Sequence, residues 1–228
     1  MPPATPQPPN ASLHDDAIER IARAYRSRWH QGYARGKLRH DPAFAAIAAK
    51  TVHRDDGILD IGCGLGLLGM LLRERGFRGA YLGCDIDAAK IDAARDAAAR
   101  LHPDLRFAPG DASGGLPEFS GTVVLLDVLH YLDAARQPEL LAAAASRVAP
   151  GSSLLVRSVV RAHHWRFTAT RLLEACAFRS GWLAAPARHF PEFDDIERPL
   201  RAAGLEVTHA PLWGHTPFNG WLFEAARP

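Results

Sequence analysis

The feature that most constrains this chain is a glycine-rich turn between a strand pattern and a helix pattern. The apolar run ILDI at 58–61 leads directly into GCGLG at 62–66, and residues 65–75 then have a helical pattern that ends at Gly76. Glycines allow a tight turn and let a ligand approach main-chain atoms. The amides at the start of the following helix form a partly positive edge. The turn therefore predicts an α/β sheet with a cofactor site at the carboxyl ends of its strands.

Strand and helix patterns continue to alternate through the middle of the chain. Strand patterns lie at 58–61, 80–86, 105–108, 122–128 and 153–160, and helix patterns lie at 65–75, 88–101 and 136–148. This alternation predicts β-α-β units and a parallel sheet with helices on both faces. Two final strand patterns, at 205–210 and 220–226, have no helix pattern between them and predict an antiparallel pair. Residues 12–36 have the apolar spacing of one helical segment.

Length and composition favour one domain with a buried core. The chain has 228 residues, of which 47% are hydrophobic and 23% are charged. Its net charge of +2 is too small to indicate a nucleic-acid partner. The three cysteines lack metal-ligand spacing, which predicts no metal site and a reducing, cytoplasmic location. Residues 1–10 lack the features of a secretory signal, and no apolar run reaches the roughly 18 residues of a transmembrane helix.

Two acidic residues near the turn indicate which cofactor it binds. The second strand pattern ends in Asp85, whose carboxylate could accept hydrogen bonds from both hydroxyls of a ribose. Gly64, Gly66 and Gly69 also match the G-x-G-x-x-G fingerprint of dinucleotide-binding proteins. However, Asp60 precedes the first glycine, where a carboxylate would crowd a pyrophosphate. It suits a cofactor that brings a positive charge and an amino group.

At these residues the sequence resembles the class I S-adenosylmethionine-dependent methyltransferases. The first motif of that family is an acidic residue followed by G-x-G-x-G, and three further acidic positions of the family match Asp85, Asp111 and Asp127. The resemblance implies S-adenosylmethionine as cofactor and a seven-stranded sheet in the order 3-2-1-4-5-7-6, with strand 7 antiparallel. The cofactor-binding residues that it implies are Asp60, Gly62, Cys63, Gly64, Gly66, Asp85, Ile86, Asp111, Ala112 and Asp127.

Composition, segment lengths and the resemblance together predict a division of the chain. We expect a disordered tail over residues 1–11, a helical cap over 12–50 and a methyltransferase domain over 51–228, with a lid insertion at about 161–190. His130 and Tyr131 closely follow the fourth strand pattern, which places them near the methyl group to be transferred. They are the candidate catalytic residues: His130 could act as a general base, or it could pack against the cofactor.

A finer resemblance concerns the acceptor. The stretches GYARGKLRHDPAF, WRFTATRLLE and GHTPFNGWLF are similar to methyltransferases found with bacterial aryl-polyene or xanthomonadin-type pigment synthesis. This similarity and the apolar residues Trp165, Phe167, Leu172 and Trp182 favour an aromatic or lipid-like small molecule, with a carrier-bound polyene as one candidate. Peripheral membrane contact stays open, and no nucleic-acid partner is expected.

Two other functional classes compete with a methyltransferase. An NAD(P)-dependent oxidoreductase would need a catalytic pair such as Tyr-x-x-x-Lys after the fourth or fifth strand, and the sequence has none there. A non-catalytic binding module with the same fold stays open, because the residues that bind the acceptor are not identifiable from the sequence.

Overall fold

A single mixed sheet of seven strands organises the protein. In the computed structural model the described residues are 11–111, 114–161, 165–179, 186–214 and 216–228, without the side chains of 11–14 and 173–179. The expected tail lies outside them except for Ala11, as does Ala112 of the expected cofactor site. The strands are β1 (Ile58–Ile61), β2 (Tyr81–Asp85), β3 (Arg106–Pro109), β4 (Thr122–Leu126), β5 (Ser153–Val159), β6 (Glu206–Pro211) and β7 (Gly220–Ala226).

The order of the strands is β3-β2-β1-β4-β5-β7-β6. The first five strands are parallel, and β7 runs antiparallel to both β5 and β6. The strand order and the antiparallel seventh strand are therefore confirmed. The order reverses at β1 and β4, so that their carboxyl ends flank a crevice, which is where ligands bind in sheets of this kind.

Eight helices surround the sheet in the part of the chain that the structure describes. They are α1 (Ala11–Ala24), α2 (Arg28–His40), α3 (Pro42–Thr51), α4 (Leu67–Glu74), α5 (Ala88–Leu101), α6 (Arg136–Ala145), α7 (Trp165–Arg179) and α8 (Phe193–Ala202). Apolar residues of α1 to α5 form one buried cluster with the sheet, whereas those of α6 and α8 form a second. The sheet thus separates two hydrophobic layers. None of the described helices is long and apolar enough to cross a membrane.

The amino-terminal helices differ from the prediction in one respect. A continuous helical segment over residues 12–36 is wrong, because α1 ends at Ala24 and α2 begins at Arg28. Ser27 caps α2 by accepting a hydrogen bond from the main-chain N–H of His30. At this break Tyr25 is buried, and its hydroxyl donates to the carbonyl of Leu65 in the glycine-rich turn at 2.5 Å. The break lets the helical segment reach the turn.

The chain leaves the sheet after β5, and at Pro191 it returns to the carboxyl end of that strand. The main-chain N–H of Arg161 donates to the carbonyl of Pro191 at 2.8 Å, so the two ends of this excursion are joined. Helix α7 lies within it. Trp165 and Leu172 are among the most exposed large apolar side chains of the described residues. Whether the excursion covers a ligand as a lid stays a prediction.

Candidate functional site

The glycine-rich turn joins β1 to α4 and has a left-handed backbone at each of its three glycines. The φ angles are +76° at Gly62, +54° at Gly64 and +73° at Gly66. A Cβ at Gly62 would lie 2.3 Å from Val128 Cγ2, and one at Gly66 would lie 2.5 Å from the Phe107 ring. A Cβ at Gly64 would meet no described atom within 4 Å. The outer glycines therefore let the turn pack against the protein, whereas the middle glycine borders open space.

Asp85 lies beside that open space, at the end of β2. Its Oδ2 accepts a hydrogen bond from the N–H of Gly64 at 2.8 Å, and its Oδ1 accepts one from the N–H of Asp87 at 2.9 Å. Each carboxylate oxygen keeps a further lone pair for a ligand hydroxyl. The next residue, Ile86, is 73% exposed and presents an apolar surface beside the carboxylate. This combination suits a ribose with an attached flat base.

Asp60 lies beneath the turn rather than in the opening. It is 1% exposed, and its Oδ2 accepts a hydrogen bond from the Tyr81 hydroxyl at 2.5 Å. Burial raises the pKa of Asp60 to about 7, with a smaller contribution from the charge of Asp85, and the Tyr81 hydrogen bond acts in the opposite direction. Asp60 Oδ1 is buried and has no hydrogen-bond partner among the described residues. A cation in the opening would therefore interact favourably with the Asp60 carboxylate.

Asp127 directly follows β4 and belongs to a charged cluster of four residues: Lys37, Asp41, Asp127 and Arg157. Asp127 has a left-handed φ of +59° and is ion-paired through Oδ2 with Arg157 of β5. The Lys37 ammonium lies 2.5 Å from Asp41 Oδ2 and 3.8 Å from Asp127 Oδ2. Asp127 Oδ1 is buried without a hydrogen-bond partner in the described part of the chain. The charged cluster joins the α2–α3 junction to the carboxyl ends of β4 and β5.

His130 and Tyr131 lie in a short 3-10 turn after Asp127. His130 is 1% exposed, and burial lowers its pKa to about 4, so that the imidazole is neutral near pH 7. Its ring stacks on Phe190, with the centroids 5.8 Å apart, and Phe167 of α7 meets Phe190 edge to face at 5.3 Å. Tyr131 is tilted against His130 at 4.2 Å. These rings form an aromatic wall next to the charged cluster.

A buried glutamine fixes the segment that carries Phe190. Gln137 donates through Nε2 to the carbonyls of Leu129 and His189, at 2.9 and 2.8 Å. The main-chain N–H of Arg188 donates to the carbonyl of His130 at 2.8 Å. The end of the excursion after β5 is therefore anchored on the turn that holds His130.

The remaining expected residues have less direct roles. Cys63 contributes to the turn through its backbone, and burial raises the pKa of its thiol well above the usual range. Its side chain packs over Gly83, where a Cβ would lie 2.8 Å from the Cys63 sulfur. Asp111 is exposed beyond β3, and its carbonyl accepts a hydrogen bond from the N–H of Gly114.

Sequence reasoning missed the roles of four residues in this site. Tyr81 gave no signal, because a tyrosine in a strand is common. Arg157 is the one charged residue in the strand pattern SLLVRSVV, and this contrast could have identified it as a candidate site residue. The pair Asp41-Pro42 is typical of a helix start, and Asp41 does cap α3: its Oδ1 accepts a hydrogen bond from the N–H of Ala43 at 3.0 Å. Tyr25 gave no signal of its own, because it falls on an apolar position of the helical pattern over residues 12–36.

The residues present fit S-adenosylmethionine. The open space at Gly64 admits a ligand against the main chain, and Asp85 can accept hydrogen bonds from ribose hydroxyls. Oδ1 of Asp60 and Oδ1 of Asp127 are buried without a hydrogen-bond partner among the described residues, so either carboxylate could stabilise a positive charge of the ligand that lies near it. Exposed Ile86 offers an apolar contact for adenine.

Comparison with known proteins agrees with this geometry. Residues 58–151 match a family model described as a methyltransferase domain. The chain is 32% identical over 139 residues to the ribosomal protein L11 methyltransferase of Ralstonia pickettii (strain 12J), which covers 58% of this chain and 43% of that protein. For the protein of the same name from Burkholderia vietnamiensis, the identity is 31% over 113 residues, with 49% and 34% covered. The chain thus spans less than half the length of these curated relatives.

Solved structures share the whole fold. Magnesium protoporphyrin IX methyltransferase from Synechocystis PCC 6803 with bound SAH (S-adenosylhomocysteine) has a TM-score of 0.66 and 19% identity, covering 95% of this chain and 96% of that chain. An O-methyltransferase family protein from Burkholderia thailandensis has a TM-score of 0.64 and 20% identity, covering 95% and 69%. Residues 58–151 therefore resemble a methyltransferase domain, and the chain shares the seven-stranded fold of these solved structures.

Proposed function

We propose that this protein is an S-adenosylmethionine-dependent methyltransferase with a small-molecule acceptor. The observation that carries the proposal is the open space at Gly64, bordered by the Asp85 carboxylate and exposed Ile86 at the carboxyl edge of the sheet. A nucleoside with a positively charged substituent fits this edge, since Asp60 lies near the end of β1 and Asp127 directly follows the neighbouring strand β4.

The residues of this chain would mainly bind and align the reactants. When bound, S-adenosylmethionine supplies a methyl group already activated by a sulfonium. Asp85 would hold the ribose, and the turn at 62–66 would hold the rest of the cofactor against β1. The Asp60 carboxylate would stabilise its positive charge from below. Alignment of two reactants in a closed site is sufficient for large rate enhancements, so a strongly basic residue is not a general requirement.

The aromatic wall formed by His130, Tyr131, Phe167 and Phe190 supports an aromatic or lipid-like acceptor. A carrier-bound polyene is one such molecule. A pKa of about 4 makes His130 a weak acceptor of protons near pH 7, which favours a packing and orienting role over general-base catalysis. An acceptor that is already anionic, such as a carboxylate, needs no base. The proposed site of action is the cytoplasm, without a nucleic-acid partner.

Calorimetry tests the cofactor. We expect the protein to bind S-adenosylmethionine and S-adenosylhomocysteine and to leave NADH unbound. Binding of NADH with neither adenosyl ligand would overturn the proposal in favour of an oxidoreductase.

Mass spectrometry tests catalysis and identifies the acceptor. Extracts and carrier-bound intermediates from cells with and without the gene should differ by a compound that gains one methylene in mass. Tight cofactor binding without any such product, and without turnover on that compound in vitro, would favour the non-catalytic binding module.

A further inference from the structure

We propose that helix α7 docks on an anionic membrane surface. The docking surface, called the α7 outer face, consists of Trp165, Thr168 and Leu172, with exposed arginines beside it. Docking needs neither a cofactor nor an acceptor, so this inference is independent of the proposed function. It adds a lipid surface to the partners of the protein.

The α7 outer face is largely apolar although it faces water. Trp165 is 61% exposed, and Leu172 is 66% exposed. They are seven positions apart, which is about two helical turns, so both lie on the same side of α7. Thr168 lies between them and is also exposed. A surface helix normally presents polar side chains outward, and a single exposed apolar residue needs no explanation. Two large apolar residues on the same outward side indicate a partner that is less polar than water.

The inner side of α7 is held by other contacts, so the helix cannot rotate to bury its outer face. Thr170 is fully buried, and its hydroxyl donates to the carbonyl of Arg166 at 2.8 Å. The same hydroxyl accepts a hydrogen bond from the main-chain N–H of Asn219, at the start of β7, at 2.9 Å. Phe167 meets Phe190 of the aromatic wall edge to face. These contacts fix the outward direction of the α7 outer face.

Basic residues are concentrated in the excursion that carries α7. Residues 161–190 contain five arginines and one acidic residue, Glu174, which gives this range a formal charge of +4 with its histidines neutral. The whole chain has a net charge of only +2, so the rest of the chain is net negative. The positive charge of the protein is therefore localised in the segment that also carries the α7 outer face.

The arginines of the excursion whose side chains are described are Arg161, Arg166, Arg171 and Arg188. Arg171 is exposed on α7 itself. Arg161 is exposed and lies 4.0 Å from Glu192, and Arg188 is exposed and lies 3.0 Å from Asp133. Both acidic partners are exposed as well, and ion pairs of this kind contribute little to stability. These arginines can therefore exchange their partners for the phosphates of a lipid surface.

The combination of residues favours a lipid surface as the partner. Tryptophan is enriched at the interface between lipid and water, because its ring is apolar and its N–H is polar. Arginine can lay its apolar stem along the lipid while its guanidinium pairs with a phosphate. A helix with Trp and Leu on one side and arginines beside them has the composition of helices that lie in the membrane interface. The α7 outer face is the outer side of one helix, which a flat bilayer can cover at once.

Docking would also place the aromatic wall beside the bilayer. Phe167 lies on the inner side of the helix whose outer face meets the lipid, and it contacts Phe190. An apolar acceptor dissolved in the bilayer would then reach the wall without crossing water. This consequence rests on the proposed function, whereas the docking itself does not.

Cosedimentation with lipid vesicles tests the docking on the full chain. One set of vesicles contains equal amounts of phosphatidylglycerol and phosphatidylcholine, and the other contains phosphatidylcholine alone. The variants are Trp165→Gln, Leu172→Gln and Arg171→Gln. Trp29→Gln is the matched control for the tryptophan, because Trp29 is 56% exposed but lies on α2. Arg106→Gln is the control for the charge, since Arg106 is exposed on β3, at the far edge of the sheet from α7.

We expect the wild type to bind the anionic vesicles and to bind them more weakly as salt is added. Trp165→Gln and Leu172→Gln should each bind about tenfold more weakly, because an apolar side chain no longer enters the interface. Arg171→Gln should bind about fivefold more weakly. Both controls should stay within about two-fold of the wild type. All five variants should melt within about 2 °C of the wild type, which shows that they are folded.

Four results would overturn the docking. The first is a folded wild type that stays in solution with anionic vesicles at low salt. The second is equal binding to both sets of vesicles, and the third is an equal loss for Trp29→Gln and Trp165→Gln. The fourth is a dimer in analytical ultracentrifugation that Leu172→Gln dissociates, since the α7 outer face would then be covered by a second copy of the chain. Binding of an acidic carrier protein through Trp165 and Arg171, without binding of vesicles, would likewise assign the face to a protein partner.

Discussion

Replacing Gly64 by alanine should separate cofactor binding from stability. The φ angle at Gly64 is +54°, and a left-handed backbone costs a residue with a side chain about 1–2 kcal/mol. No further cost is expected, because a Cβ there meets no described atom within 4 Å. For a protein of this size each kcal/mol lowers Tm by about 2–4 °C, so Gly64→Ala should lower Tm by about 2–8 °C.

Affinity should change much more than stability. The new methyl group would occupy the space that the cofactor needs beside Asp85, and we expect S-adenosylhomocysteine to bind at least about tenfold more weakly, a loss of ~1.4 kcal/mol or more. Gly151 is the matched control. It has a φ of +74° and equally open surroundings among the described residues, but it precedes β5 at the opposite edge of the sheet.

Differential scanning calorimetry and isothermal titration measure both quantities on the two variants. Gly151→Ala should show a similar fall in Tm and unchanged affinity. If Gly64→Ala binds S-adenosylhomocysteine as the wild type does, the turn does not hold the cofactor. If Gly64→Ala is far less stable than Gly151→Ala, the space at Gly64 is not open, and the loss of binding would say nothing about the ligand.

Three further predictions concern groups deeper in the site. The pKa of Asp60 is raised to about 7, and a cationic ligand favours the charged form of this carboxylate. The affinity for S-adenosylmethionine should therefore rise from pH 6 to pH 8, by up to ~10-fold per pH unit below the pKa. In calorimetry, Asp60→Asn should remove this rise. Gly220→Ala should destabilise the protein by about 1–3 kcal/mol in urea denaturation, because its Cβ would lie 2.9 Å from Arg157 Nε; unchanged stability would mean that the guanidinium moves freely. The His130 imidazole should stay neutral in NMR titrations down to about pH 5, and a midpoint near 6.5 would contradict its burial.

The sheet was predictable because its signals are local. Apolar runs, glycine turns and caps occur within a few residues of one another, and the parallel alternation leaves few possible topologies. The same holds for the turn at 62–66 and for Asp85, since strand ends in a parallel sheet meet at one edge. The break between α1 and α2 was not predictable, because the buried contact of Tyr25 with Leu65 joins residues 40 positions apart.

The environment of Asp60 needed the strand register. In the β1–β2 pairing, Asp60 is opposite Gly83, and Tyr81 is opposite Ile58, two residues away. Tyr81 nevertheless reaches Asp60 because Gly69 on α4 leaves room for its ring: a Cβ at Gly69 would lie 2.6 Å from it. A single sequence fixes neither the register nor this approach. The G-x-G-x-x-G match at Gly69 therefore reflects the packing of α4 on β2 here.

The amino-terminal helices contact the cofactor edge of the sheet at two places. The Tyr25 hydroxyl donates a hydrogen bond to Leu65 in the turn. Lys37, near the other end of α2, is ion-paired with Asp41 and Asp127. A ligand that binds more tightly when these helices are docked strengthens their docking by the same free energy, since coupling between two sites is reciprocal. The helices therefore do not act independently of the cofactor site. A change in the Tyr25 contact that weakens the docking of the helices must also weaken the binding of any cofactor that favours the docked state.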